Sequence, residues 1–443
     1  MKRFFKHTYL TFRFFLIALV FVALFILAYI YPGLLSIVTI LFFVVIGLVA
    51  IDFILLYKQK GIIASRVLPE KLSNGDDNPI KLTLQNSYNF KTDLLLIDEL
   101  PFQYQKRDFE INTQLNSHDK KKINYTLRPL ERGEYYFGNL NIYANSPIGL
   151  VTRRYQFAKD AMVPNYPSFL QLRKYMLLAF SNKLFEYGLK KIRRIGHTME
   201  FEQIKDYVNG DDIRNINWKA TAKRNQLMVN QFQDERSQPI YSVIDKGRAM
   251  KMPFGGMSLL DYSINATLVI SNVALKKQDK AGMFAFSRKT ENKVVAERRP
   301  SQMNKILETL YNVNTDFSES DFSRLYIDIK RSITQRSLLL LYTNFETLDA
   351  LHRQLPYLKA IAQNHLLVVI FFENTELYKL TKIEASNTFE IVQKAVAEKF
   401  MYEKKLIVNE LQKHGIQSIL TPPEKLTINT INKYLEIKAR GLL

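Results

Sequence analysis

Ser337-Leu338-Leu339-Leu340-Leu341-Tyr342, then Leu348 to Ala362, then His365-Leu366-Leu367-Val368-Val369-Ile370-Phe371-Phe372 is the stretch on which the fold turns. Two short runs without a polar face enclose a segment of helical length, and that order reads as strand, helix, strand. Working outward, Ile240 to Ile244 is a further apolar strand. Ser258 to Lys277 is a helix with Leu260, Ile264, Leu268 and Leu275 toward one side, and Ala281 to Phe286 is another strand. Asp321 to Ile333 and Thr388 to Lys413 read as helices, the second stopped by Gly415, and Ile416 to Leu420 as a last strand. Strands apolar throughout and separated by helices imply a mostly parallel sheet covered on both faces, so residues 240–443 are expected to form a Rossmann-like α/β domain. Ligands in such sheets sit beyond the carboxyl ends of the strands, which directs attention to the loops after Ile244, Tyr342 and Phe372.

Upstream the period changes. From 66 to 165, two-residue alternation in Ile80 to Leu84, Leu94 to Ile97, Ile123 to Leu127, Tyr135 to Phe137 and Leu140 to Tyr143 is broken by turn clusters such as Asn74 to Pro79 and Ser146-Pro147-Ile148-Gly149. This predicts an antiparallel β-sandwich of immunoglobulin-like architecture. Arg128-Pro129-Leu130-Glu131-Arg132-Gly133 reads as a hairpin turn, with a partner-docking loop as the alternative. Residues 166–239 hold a basic linker and a dense polar motif.

At the N-terminus, Phe14 to Tyr31 and Leu34 to Leu56 are apolar runs interrupted only by Asp52, roughly 27 and 35 Å long as helices against a hydrocarbon core of about 30 Å. Pro32-Gly33 leaves almost no loop between them. Residues 1–60 are therefore expected to be a transmembrane α-hairpin, about 14–31 and 34–56, with no cleaved signal. Lys2, Arg3, Lys6 and Arg13 before it and Lys58, Lys60 and Arg66 after it predict both termini and the folded domains on the cytoplasmic side of the inner membrane. Asp52, in the last turns of its span, is expected to reach the membrane interface.

The chain has 443 residues, a formal charge of +20 and no cysteine. Disulfides, thiolate metal sites and a cysteine nucleophile are excluded. Six Lys or Arg and one Asp place +5 of the charge in residues 1–60, leaving +15 for the folded part, a membrane-side surplus more than a nucleic-acid footprint. The six histidines show no metal-ligand spacing, and no phosphate-loop, nucleophile-elbow or dinucleotide fingerprint occurs.

Two constellations carry candidate chemistry. After the first α/β strand stands Asp245-Lys246-Gly247-Arg248-Ala249, and after the leucine strand Thr343-Asn344-Phe345. The positions are similar to those of a von Willebrand factor A domain, where Asp-x-Ser-x-Ser, a Thr and a later Asp converge on Mg²⁺. Here Gly247 and Ala249 replace the serines, Asn344 the later Asp, and Thr315 is the best second-loop Thr. Loss of two hydroxyls and a carboxylate, with Lys246 and Arg248 added, argues against Mg²⁺ and leaves Asp245 to cap the following turn or pair with a cation. The second constellation runs from Gly196-His197 and Glu200 through Asp206, Tyr207, Gly210, Asp211, Asp212, Arg214, Trp218 and Arg224 to Glu235. Asp206, Asp211 and Asp212 could hold a divalent ion or act as acid and base; equally, Asp212 could open a helical turn and Arg214, Lys219 and Arg224 could pair with the acids. Lys183, Lys190, Lys191, Arg193 and Arg194 before it could meet lipid or an acidic partner, meet nucleic-acid phosphates, or simply form a solvated face.

This second motif, with Ile216, Ala222, Leu227 and Asp234-Glu235, resembles the signature of the DUF58 family, a domain of unknown function, and the likeness extends over nearly the whole chain. The resemblance implies a membrane-tethered protein with a von Willebrand A-like domain and no established catalysis or cofactor. Members are typically encoded beside MoxR-type AAA+ ATPases, which implies a scaffold or adaptor role in assembly or envelope maintenance, with residues 196–235 as the partner surface. A metal-dependent enzyme built on the three aspartates and a nucleic-acid-binding membrane protein are the competing readings.

Overall fold

The computed structural model describes residues 7–172, 199–209, 211–234, 237–382 and 387–442, with only the backbone of 199–203 and 231–234. Two compact units, Met1–Tyr166 and Pro167–Leu443, divide the chain.

In the first unit, β1 (Thr8–Leu10) precedes helix α1 (Phe12–Ile30), and the 3₁₀ turn Pro32–Leu34 leads into α2 (Leu35–Tyr57). Pro32 fixes the backbone at the turn, and Thr11 caps α1 by accepting the Phe14 N–H at 3.4 Å. Both helices are long and apolar enough to cross a membrane. Ten strands follow: β2 (Ile62–Val67), β3 (Leu72–Ser73), β4 (Asn78–Asn86), β5 (Thr92–Asp98), β6 (Glu110–Leu115), β7 (Lys120–Leu127), β8 (Gly133–Phe137), β9 (Leu140–Asn145), β10 (Val151–Phe157) and β11 (Ala161–Tyr166). They form sheets of order β1-β10-β9-β5-β6, β2-β4-β7 and β3-β11-β8. Alternation buries Leu82 and Leu84 of β4 with Leu94 and Leu96 of β5 and Leu140 and Ile142 of β9, so two sheets share one core.

The helical pair is stitched to this unit at both ends. β1 pairs antiparallel with β10, and the Thr11 hydroxyl donates to the Gly149 carbonyl at 2.8 Å. Asp52 is fully buried: Leu150 and Val151 N–H each donate to its Oδ2 at 2.8 Å, and the Ser146 hydroxyl donates to Oδ1. From the sequence Asp52 is expected at the membrane interface; its partners are protein groups of the β-rich unit. The turn Ser146 to Gly149 supplies the donors that a buried carboxylate requires.

The second unit opens with a hairpin of β12 (Met199–Asp206) and β13 (Met228–Asp234), with short helix α3 (Trp218–Arg224) between them. The α/β body comprises β14 (Pro239–Asp245), the small ladder β15 (Pro253–Phe254) and β16 (Met257–Ser258), α4 (Leu259–Lys276), β17 (Lys280–Phe286), β18 (Thr290–Glu297), α5 (Gln302–Tyr311), α6 (Phe322–Ser332), β19 (Leu338–Tyr342), α7 (Leu348–Asn364), β20 (Leu366–Phe372), α8 (Thr375–Lys382), α9 (Thr388–Lys413), β21 (Gln417–Thr421) and α10 (Leu426–Ala439). Its sheet has the order β18-β17-β14-β19-β20-β21, parallel except for β18. Alternate residues face opposite helical layers. Ile240, Leu338, Leu340, Val368 and Ile370 pack toward α4, α5 and α10, whereas Val243, Leu339, Leu341, Val369 and Phe371 pack toward α6, α7 and α9. Strands with no exposed face need apolar residues at every position, which is why the four leucines form a strand. Gly415, at φ +71°, takes the left-handed turn that ends α9.

Candidate functional site

Asp245 ends β14 at the carboxyl edge of the sheet and is buried. Its Oδ1 accepts the Gly247 N–H at 2.8 Å and the Ser320 hydroxyl, and its Oδ2 accepts the Thr343 hydroxyl at 2.7 Å. Burial raises the Asp245 carboxyl above its ordinary range, opposed by those three donors. The carboxylate holds three loops together: its own, the one before α6 and the one after β19.

The positions expected around it are arranged differently from the sequence pattern. Thr315 lies apart from this contact, its hydroxyl accepting the Phe317 N–H at 3.2 Å; Ser320 supplies the second-loop hydroxyl instead. A Cβ on Gly247 would overlap the Ser320 hydroxyl and reach the Ser318 carbonyl at 3.0 Å, so Ser320 fills the space a side chain at 247 would use. Asn344 accepts from the Lys404 ammonium at 2.7 Å, while Ala249 and Arg248 line a neighbouring cleft of about 640 Å³. Lys246 is buried and donates to Glu291 at 2.7 Å. Asp316 is held below its ordinary value: burial acts upward, but donors on Ser287 and Ser318 and the charge of Lys246 outweigh it. Among the described residues, no three His, Asp or Glu side chains lie close enough to share a metal ion.

The polar motif folds as the β12–β13 hairpin and its insert. Asp211 accepts from Lys205 at 3.0 Å and from the Val208 N–H at 3.1 Å, which lowers its carboxyl, the backbone bond first. Asp212 accepts the Arg214 N–H at 3.0 Å, capping a short 3₁₀ turn, with the Arg214 guanidinium 3.7 Å away. Asp206 ends β12, paired with Met228 across the hairpin, and the Tyr207 N–H donates to Leu227 at 2.8 Å. Asp211 and Asp212 are thus local caps and ion partners. The Glu200 side chain, Gly210, Glu235, Gly196, His197 and the basic run at 183–194 lie outside the described residues.

Apolar exposure distinguishes this hairpin. Trp218 is 69% exposed, Ile213 68% and Val208 62%, with exposed Leu227 nearby in sequence. Their backbone is nonetheless fixed. Asn217 caps α3 by accepting the Ala220 N–H at 3.0 Å and donates to Asn230 at 2.8 Å, and the Thr221 hydroxyl accepts the Met228 N–H at 3.0 Å. Lys219, Lys223, Arg214 and Arg224 are exposed around it.

The chain is thus an apolar helical pair with a β-rich unit, followed by an α/β unit carrying this hairpin. Residues 203–405 match the family described as protein of unknown function DUF58. The uncharacterized protein YeaD of Bacillus subtilis (strain 168) is 25% identical over 198 residues, covering 43% of this chain and 49% of that protein, so the match spans about half of that relative. Among solved structures, the conserved hypothetical protein BatB of Bacteroides thetaiotaomicron aligns with 46% of this chain and 99% of its own at 10% identity and a TM-score of 0.28. The CARDB domain of the PF1109 protein of Pyrococcus furiosus aligns with 24% of this chain and 86% of its own at 9% identity and a TM-score of 0.17.

Proposed function

We propose that this protein is a membrane-anchored, non-enzymatic adaptor of the DUF58 type, whose α/β unit is a von Willebrand A-like domain without a working metal site. Its partner is a MoxR-type AAA+ ATPase or another envelope complex, and its folded units lie on the cytoplasmic face of the inner membrane. The observation that carries the reading is the rigid display of Trp218, Ile213 and Val208 on a cation-bordered hairpin. Water-exposed aromatic and aliphatic groups on an ordered backbone are the anchors that protein interfaces bury, and tryptophan leads among residues whose loss abolishes binding. The paired state of Asp211 and Asp212 and the closure of Asp245 leave less support for a metal-dependent enzyme.

Affinity capture of the intact chain from native membranes, followed by identification of the proteins retained, tests this. The expected result is an AAA+ ATPase recovered with the parent protein and lost with Trp218→Ala. Recovery of neither an ATPase nor an envelope complex overturns the reading. Protease protection of sealed inverted vesicles tests orientation: cleavage in the α/β unit from outside is expected, and protection refutes the cytoplasmic placement.

A further inference from the structure

Beside the Asp245 cleft, on the far side of Asn344, a second cavity of about 800 Å³ lies between the carboxyl edge of the sheet and helices α8 and α9. Its wall is largely hydrocarbon, with Phe254, Leu377, Val392, Val396 and Phe400 among the lining side chains. A cavity of this size and character, with few polar groups, is the ordinary form of a small-molecule site. The polar end is specific. Lys404 donates to the Asn344 side chain at 2.7 Å and to the Phe345 carbonyl, both neutral acceptors. Its ammonium has three N–H groups; besides these two acceptors it lies 5.9 Å from the centre of the Phe371 ring, with no further oxygen acceptor among the described residues. No carboxylate lies within ion-pair distance of it among the described residues, although Glu346 is near enough to act on its charge.

We propose that this cavity binds a single-chain amphiphile with an anionic head, a long-chain carboxylate, with its hydrocarbon among the α8 and α9 side chains and its head group accepting from Lys404. The Lys404 ammonium, hydrogen-bonded only to neutral acceptors, selects the anion. Burial draws the Lys404 ammonium down to about 8 against the pull of Glu346, which leaves it mainly charged at neutral pH, and a bound anion would raise it again. Lys405 adds a second cation to the wall, alongside the carboxylates of Glu346 and Glu373 on the same lining, and burial raises the Glu373 carboxyl against the pull of Lys405 and Lys425. A neutral alkane would leave the ammonium facing hydrocarbon, and a bulky two-chain lipid exceeds a space of this size.

The test uses the intact chain in phospholipid nanodiscs and a sixteen-carbon fatty acid bearing a photoreactive diazirine. After irradiation, labelled peptides are mapped by mass spectrometry, with label on residues 12–57 as the internal reference. Label on α9, competed by excess palmitate but not by hexadecane, is expected, falling about tenfold in Lys404→Met and to background in Val396→Trp, which fills the cavity. Label confined to residues 12–57 overturns the proposal, as does α9 labelling that palmitate does not compete or that neither variant alters. Should Val396→Trp fail to fold, Lys404→Met with its palmitate competition decides alone. Recovery of an ATPase bears on neither outcome.

Discussion

Asp245 and Trp218 stand in the same unit and treat water in opposite ways. At Asp245 a buried carboxylate takes its three donors from three loops. At Trp218 a large apolar ring faces solvent on a backbone tied down by Asn217 and Thr221. The site with the chemistry of a reaction centre is used up in holding the molecule together, and the side chain suited to a core is held outside. A polar cluster in a sequence therefore gives weaker grounds for a functional site than an apolar group the fold declines to bury.

The contrast can be broken most forcefully at Asp245. Asp245→Ala leaves the Ser320 and Thr343 hydroxyls and the Gly247 N–H without their acceptor, and a loss of roughly 3 kcal/mol is expected in thermal unfolding of the detergent-solubilised chain, since each orphaned buried group costs about 1–3 kcal/mol. A loss under about 1 kcal/mol would show that Asp245 is no staple. Trp218→Ala is expected to leave unfolding within about 0.5 kcal/mol while weakening partner binding by about 2 kcal/mol, near 30-fold, in titration with the captured partner. Equal loss of stability and binding would make Trp218 a structural residue. Gly247→Ser, which writes the missing motif hydroxyl back, should destabilise by about 1–3 kcal/mol through overlap with Ser320; a neutral result would mean the loop has room for the hydroxyl.

The smallest effect concerns pH. Because burial raises the Asp245 carboxyl above its unfolded value, its protonated form is favoured in the fold. The stability from this group is full below the ordinary Asp value and declines as pH rises toward the folded-state value. Asparagine cannot titrate, so the parent's stability minus that of Asp245→Asn is expected to fall across that window, as read from paired denaturant titrations. A difference that rises with pH would reverse the assignment.

Legibility from sequence follows the same division. The buried parallel strands were plain because full burial demands uninterrupted apolar runs, as in Leu338–Tyr342 and Leu366–Phe372. The edge strand Thr290–Glu297, the hairpin strands and helices Gln302–Tyr311, Thr375–Lys382 and Leu426–Ala439 are not legible, since elements with a wet face mix polar residues into their pattern. Asp245 was found from its position at the end of a strand. Thr343 stood in the adjacent strand-end loop, where the same rule could have paired it with Asp245, whereas Ser320 is brought in from 75 positions away with nothing in its neighbourhood to mark it. Thr315 drew attention through motif analogy, although space at Gly247 belongs to Ser320.

The anchorage of Asp52 has a mechanical consequence. Fixed to the turn before β10, the second helix has about 17 residues left between Leu35 and Ile51, roughly 26 Å of rise, near the short limit for crossing a bilayer of about 30 Å. A membrane that accepts this hairpin must thin slightly or end its oily layer at Asp52. In such a membrane the β-rich unit would lie against the head groups instead of swinging on a tether, and any tilt of the hairpin would turn the sheet with it, as a mast turns the deck to which it is bolted.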